Sequence, residues 1–397
     1  SPLAAITLTP ISAGFSNGMI GIDHHQPTNQ VVVSVNYNTG GLPYNFELVA
    51  ADGTKTQFSA VSGLTDEIKI ATVKDTLGGF AVGELFVGTG VAGVIARVSP
   101  DGTSVLNPWV TLPGEPGLMR GSLYVDRSGV FGGDLIVVTT AGNVWRVTSG
   151  GVPTLLASIG THLEGTITIP NDLVQYGPWA GKILAGAEGQ GRIYAIAPDG
   201  TTTFYLLGIN PEDFDIIPAN ENFFGVGYAD NTLYGAPPSE FAGMVGDILV
   251  TQESPGILWR VHWDGSQFQT TNLAQVTQWE HVTFSTAGII EIPPPCEPQI
   301  CANKFYDANV NGAWDDGEDG VEGWTMTLSD GQVGQTGPDG SVCFDVAAGD
   351  YTVTEELPST WVNTTGGTTC SKTASADNIT VSVYSGYVAS GGGAPYS

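Results

Sequence analysis

The chain has 397 residues, of which only 13% are charged, with Gly 55 and Pro 24. That is room for two domains and the composition of a turn-rich β protein. Lys+Arg 12 against Asp+Glu 40 give a net charge of −28, which repels nucleic-acid phosphates and anionic lipid surfaces and leaves divalent cations as natural partners.

No apolar run reaches the roughly eighteen residues that span a bilayer, so no membrane crossing is expected. No basic-then-apolar signal peptide is present, and Ser1 reads as a mature or trimmed start. Residues 1–14 alternate around Ile6, Thr7, Leu8 and Thr9. They read as an extended strand without an evident partner, and an unpaired strand seeks an edge.

From residue 15 to 290 the sequence repeats. GELFVGTGVAGVIARVSPDG from Gly83, GDLIVVTTAGNVWRVTSGG from Gly133, GKILAGAEGQGRIYAIAPDG from Gly181 and GDILVTQESPGILWRVHWDG from Gly246 each read as strand, turn, strand, turn. Further copies begin at Val31 and, degenerately, at Glu221. The starts at 83, 133 and 181 lie 50 and 48 residues apart, a spacing that fits four-stranded propeller blades.

No stretch keeps a 3.6-residue period, so helix is nearly absent. The rhythm resembles six-bladed lactonase-like and sugar-dehydrogenase-like propellers. Ile20–Asp23 and His281–Phe284 both read as innermost strands. Six blades are therefore expected if one of them closes the ring in the other's blade, and seven if it does not. Phe223 and Phe224 sit at core spacing.

The first strand of each propeller blade lines the central channel, so residues at its start gather at one mouth. In register these are Asp66 and Glu67, Arg120, His162 and Glu164, Glu212 and Asp213, and Glu280 and His281, with Asp23, His24 and His25 after the first such strand. Glu164, Glu212, Glu280 and His281 are the candidate channel ligands, suited to Ca²⁺ or to a softer ion such as Zn²⁺ or Mn²⁺. Polar channels are also commonly just wet. GxSxG, HExxH and P-loop motifs are absent, which leaves metal-assisted hydrolysis or lactone opening as the enzyme class to consider.

The run Ile292-Pro293-Pro294-Pro295-Cys296-Glu297-Pro298 reads as a stiff linker, with a boundary over 291–300. The four cysteines, Cys296, Cys301, Cys343 and Cys370, all lie beyond residue 290 without CxxC spacing. They favour disulfides and an oxidising, extracellular compartment, with three pairings open.

Asp307-Ala308-Asn309-Val310-Asn311-Gly312-Ala313-Trp314-Asp315-Asp316-Gly317-Glu318 satisfies D-x-[DN]-x-[DN]-G-x₅-E at every defined position. Oxygens of Asp307, Asn309, Asn311, the Ala313 carbonyl, Asp315 and Glu318 form a Ca²⁺ ligand set around a turn glycine. Lys304-Phe305-Tyr306 and Trp324-Thr325-Met326-Thr327-Leu328 flank it with the alternation of strands, not EF-hand helices.

With those flanks, KFYDANVNGAWDDGEDGVEGWTMTLSDG followed by TGPDGSVCFDVAAGDYTVTEELP resembles the B-type repeats of bacterial serine-aspartate surface adhesins and the related collagen-adhesin B domains, over about residues 301–389. The resemblance implies a calcium-stiffened immunoglobulin-like sandwich serving as a stalk on an exported protein. Asp316, Asp319 and Asp330 would be secondary ligands. Some such domains carry a Lys-to-Asn isopeptide promoted by a buried Glu, and Lys304, Glu355 and Asn378 fall in comparable stretches, although here disulfides already supply a covalent brace.

Residues 390–397 read as a flexible tail. The expectation is a secreted, calcium-binding, structural or adhesive all-β protein of the cell surface or matrix. Its partners would be surface components or copies of itself joined by strand exchange into a filament. A metal-dependent propeller hydrolase is the alternative.

Overall fold

The computed structural model describes residues 5–37, 41–120, 123–288, 299–347, 349–365, 369–374 and 380–389. It divides into two compact units, Ser1–Ile290 and Glu291–Ser397. The linker run with Cys296, the residue Asn378 and the tail 390–397 lie outside the described residues.

The first unit contains six four-stranded antiparallel sheets. Their innermost strands are Ile22–His25, Ile70–Thr72, Leu123–Val125, Glu164–Thr168, Phe214–Ile216 and Trp279–Ser285. Each neighbours the next, and Trp279–Ser285 lies beside Ile22–His25, so the ring closes on six blades. Both strands that competed for the innermost place are therefore innermost, each in its own blade.

The closing device is different from either expected one. The hairpin Asn222–Gly227 and Thr232–Ala236 leaves the fifth blade after its first strand and pairs with Trp279–Ser285. Thr9–Ala13 then adds as the outermost strand, with Thr9 opposite Gly235 and Ala13 opposite Thr232. The N-terminal strand thus has a partner within its own chain. Ile6 enters the same core as Phe223, Leu249 and Trp279, and its amide donates to the Leu273 carbonyl at 2.9 Å.

Second strands such as Leu135–Val138 are buried along their whole length, because each blade packs on two neighbours and neither face meets water. The cores lie between blades: Phe86, Ile95 and Val110 of the second blade meet Leu135, Val137 and Trp145 of the third. Outermost strands such as Val105–Thr111 and Thr202–Tyr205 are largely exposed, which is why their alternation is weak in the sequence.

The second unit is two four-stranded sheets. One holds Ser341–Asp345, Gln299–Tyr306, Thr380–Ala389 and Trp361–Asn363; the other holds Val333–Gln335, Thr325–Leu328, Gly349–Glu355 and Thr369–Ala374. Gln299–Tyr306 and Thr380–Ala389, the first and last strands, run parallel. Ile300, Ala302 and Phe344 of the first sheet pack with Met326, Leu328 and Val353 of the second, which makes a β-sandwich. Cys301 and Cys343 face one another on paired strands and form a disulfide, the one bridge among the described residues.

Candidate metal centres

Two acidic sites stand out, one in each unit. At the channel mouth, Glu67, Glu212, Glu280 and His281 each bring one ligand atom to within 4.8 Å of the others. Glu164, Glu188 and Glu212 form a second group on the same criterion. The four expected channel ligands are thus split: Glu212 belongs to both groups, Glu164 stands with Glu188, and Glu67 takes its place beside Glu280 and His281.

The inner strands set this geometry. A bulge lies between Glu164 and Thr166, and Gly165 has φ 52 with a would-be Cβ 2.3 Å from the Glu212 carbonyl. Only glycine fits there, and it lets Glu164 and Thr166 both serve the channel side. Asp213 ties two blades together by accepting the Val282 amide at 3.0 Å.

Lys69, two residues beyond Glu67, is buried with its Nζ 3.2 Å from Glu212 Oε1 and 4.0 Å from Asp213. Burial acts against its charge, but Glu212 and Asp213 outweigh it and raise its pKa. Burial pushes Glu212 and Glu280 well above the carboxylate range; Lys69 opposes this, while neighbouring glutamates add to it. Burial, with Lys69, holds His281 well below the imidazole range and therefore neutral. Burial also acts to raise Glu164, yet the hydrogen bond and charge of His162, 3.1 Å away, leave it lowered.

Three polar atoms at this mouth make no hydrogen bond among the described residues: Glu212 Oε1, which has only the Lys69 ion pair, Glu280 Oε2 and His281 Nε2. Glu280 and His281 are buried, at 3% and 2% exposure.

The remaining register positions do other work. Arg120 binds Asp66 through Nε at 2.9 Å. His25 bridges Thr28 and the Pro100 carbonyl at 2.8 and 2.9 Å, and His24 meets Asn29 at 3.1 Å, so neither joins the cluster. Asp23 lies deeper, 2.7 Å from Lys74 and bonded to Thr72 and Thr283. The channel between is narrow, with a cavity of ≈ 40 Å³. A larger one of ≈ 210 Å³ is lined by Tyr124, Arg127, Asp215, Glu221 and Phe284. Sequence reasoning missed Lys69, Lys74, Arg127, Glu188 and Asp215. For the two lysines the signal was present, as charges on either side of the short apolar strand Ile70–Thr72.

In the second unit the Asp307–Glu318 loop follows strand Gln299–Tyr306 directly, with no helix on either side. Asp307 is buried and accepts from the Asn311 and Gly312 amides at 3.1 and 2.8 Å. Burial would raise its pKa, but the hydrogen bond from Thr364 and these amides hold it low. Asn309 and Asn311 both turn their amide groups to Asp315 Oδ2, at 2.8 and 2.6 Å. Glu318 closes the loop by accepting the Ala308 and Asp315 amides at 2.9 and 3.1 Å. The Ala313 amide donates to Asn311 Oδ1 at 2.7 Å. Gly312, at the sixth position, has φ 76. Trp314 stacks on Phe305 at 5.4 Å and anchors the loop to the strand.

An all-oxygen donor set folded around a positive-φ glycine fits Ca²⁺. Asp330 instead accepts from Gln332 within its own turn. Behind the loop, buried Lys304 donates to Glu355 Oε2 at 2.6 Å, and Asn363 donates to Glu355 Oε1 at 2.5 Å. The expected third member, Asn378, lies outside the described residues.

No protein-family model matches the chain, and no curated protein does. Among solved structures it is similar to a streptogramin B lyase (13% identity, TM-score 0.44, covering 72% of this chain and 94% of that one). It is similar too to a glucose dehydrogenase (12%, 0.43, 68% and 89%) and to the RRP9 WD40 repeats (9%, 0.45, 72% and 89%). Likenesses at this level concern the propeller alone.

Proposed function

We propose that this is a calcium-binding structural or adhesive protein of the bacterial cell surface or extracellular matrix, in which an immunoglobulin-like B-type sandwich, stiffened by Ca²⁺, carries a propeller. The observation that supports it is the Asp307–Glu318 loop: five side chains of the ligand set are already joined by hydrogen bonds on a strand-anchored turn. Three carboxylates, Asp307, Asp315 and Glu318, share that turn, so a divalent cation relieves their mutual repulsion.

The disulfide is consistent with an oxidising compartment. Partners would be surface or matrix components, or further copies of the chain. In the second case a neighbour's Thr9–Ala13 would fill the outer edge that the chain's own strand fills here. Calcium titration of the full chain tests the reading, with Asp315→Ala as control: the expected result is one calcium-dependent rise in stability that the variant loses. A rise that survives the variant moves the calcium elsewhere.

A second reading is a metal-dependent hydrolase of the lactonase type at the channel mouth. It is favoured by the convergence of Glu67, Glu212, Glu280 and His281. Turnover of ester and lactone substrates with added divalent metal, abolished by His281→Ala, would support it; absence of turnover under metal saturation would reject it.

A further inference from the structure

We propose that the acidic mouth of the propeller channel binds one first-row divalent cation of the Mn²⁺ or Zn²⁺ class through Glu67, Glu212, Glu280 and His281, and that Lys69 is the resident counter-charge with which this ion competes. The inference shares its location with the hydrolase reading but requires no catalysis.

Ligand atoms about 2.0–2.2 Å from one ion lie no more than about 4.4 Å apart. The four atoms here already fall within 4.8 Å of one another, so side-chain torsions alone close the shell. They come from three blades, Glu280 and His281 from the one strand Trp279–Ser285 and Glu67 and Glu212 from the approaches to two others, and the site is therefore positioned by the ring itself.

Three polar atoms of the cluster are buried and make no hydrogen bond: Glu212 Oε1, held only by the Lys69 ion pair, Glu280 Oε2, near Glu253, and His281 Nε2. An orphaned buried acceptor costs about 1–3 kcal/mol, and several in one cluster mark a place where a ligand completes the bonding. Three buried or half-buried glutamates face Lys69, whose Nζ already contacts Glu212, and Arg120 also acts on Glu67. A divalent ion would add positive charge to that carboxylate-rich cluster.

The donor set decides the ion. Imidazole beside carboxylates suits Mn²⁺, Fe²⁺ or Zn²⁺, whereas Ca²⁺ prefers six to eight oxygens. The Asp307–Glu318 loop, all oxygen, is the opposite case, and the two sites should sort metals between them.

The test uses the chelator-treated full chain with Asp307→Asn and Asp315→Asn silencing the loop, titrated calorimetrically with MnCl₂ and ZnCl₂. One equivalent is expected in that background. Adding Glu280→Gln with His281→Ala should weaken it by roughly a hundredfold or more, beyond what loss of an outer hydrogen-bond partner produces. Lys69→Met should tighten it on the order of tenfold by removing a nearby like charge. No binding in the loop-silenced chain, or undiminished binding in the double variant, overturns the site. Unchanged affinity in Lys69→Met overturns the lysine's part. If the double variant fails to fold, zinc X-ray absorption of the loop-silenced chain replaces it: one imidazole among oxygens supports the proposal, and oxygen alone overturns it. Metal bound without any hydrolysis would retire the hydrolase reading and leave this one standing.

Discussion

The two acidic sites of this chain are built on opposite principles. The C-terminal loop assembles its ligands from twelve consecutive residues, mostly exposed, and satisfies them with its own amides. The channel mouth assembles its ligands from three blades, buries most of them and leaves three atoms without a hydrogen bond. Local turns can hold carboxylates cheaply because water screens them, whereas a buried cluster is stable only when its charges are countered. Removing cations should therefore affect the two sites very differently.

The largest expected effect is at Lys69. Lys69→Met in chelator should cost the propeller up to about 5 kcal/mol, since it leaves Glu212 and Asp213 uncompensated. Thermal unfolding would record this, and Mn²⁺ should restore part of it. An unaltered melting temperature would mean that the carboxylates simply take up protons.

Next, Cys301→Ala with Cys343→Ala opens a loop with sequence separation 42, which the chain-entropy model values at about 4 kcal/mol. Only the sandwich transition should fall. A shift of the propeller transition would show that the two units do not unfold independently.

A smaller effect concerns pH. Burial raises Asp215 from 3.8 to about 6, against the pull of Lys74 and Arg127. The unfolded chain therefore ionises first as pH rises, so the contribution is fully present below about pH 4 and lost as pH rises through 6. Asp215→Asn should flatten that decline in propeller stability by on the order of 2 kcal/mol between pH 4 and 7. A decline that persists in the variant assigns it to other groups.

The smallest signal is covalent. With a disulfide in place, Lys304 and Glu355 are expected to remain an ion pair, and intact mass should equal the sequence value less the disulfide hydrogens. A mass lower by one ammonia would instead reveal a Lys304 amide bond with Asn363 or another asparagine.

How much of this was legible in the sequence follows the same division. The six hairpin repeats are visible because the second strands are buried and the third strands alternate regularly, and each became a blade. The ring closure was not, because Asn222–Ala236 pairs forward into a different blade from the strand before it, and Thr9–Ala13 is a short outer strand with little alternation. The calcium motif could be read residue by residue, since its spacing is its geometry. The channel set could be narrowed only to register positions: whether Glu164 or Glu67 stands beside His281 depends on how separate blades meet around the ring, and Lys69 was passed over among apolar neighbours.

The central claim is tested most directly by scanning calorimetry of the full chain with Ca²⁺ and with chelator. Calcium at a hundred times its dissociation constant should raise the sandwich transition by about 2.7 kcal/mol, and Asp315→Ala should abolish that shift while leaving the propeller transition in place. A sandwich transition indifferent to calcium would contradict the account.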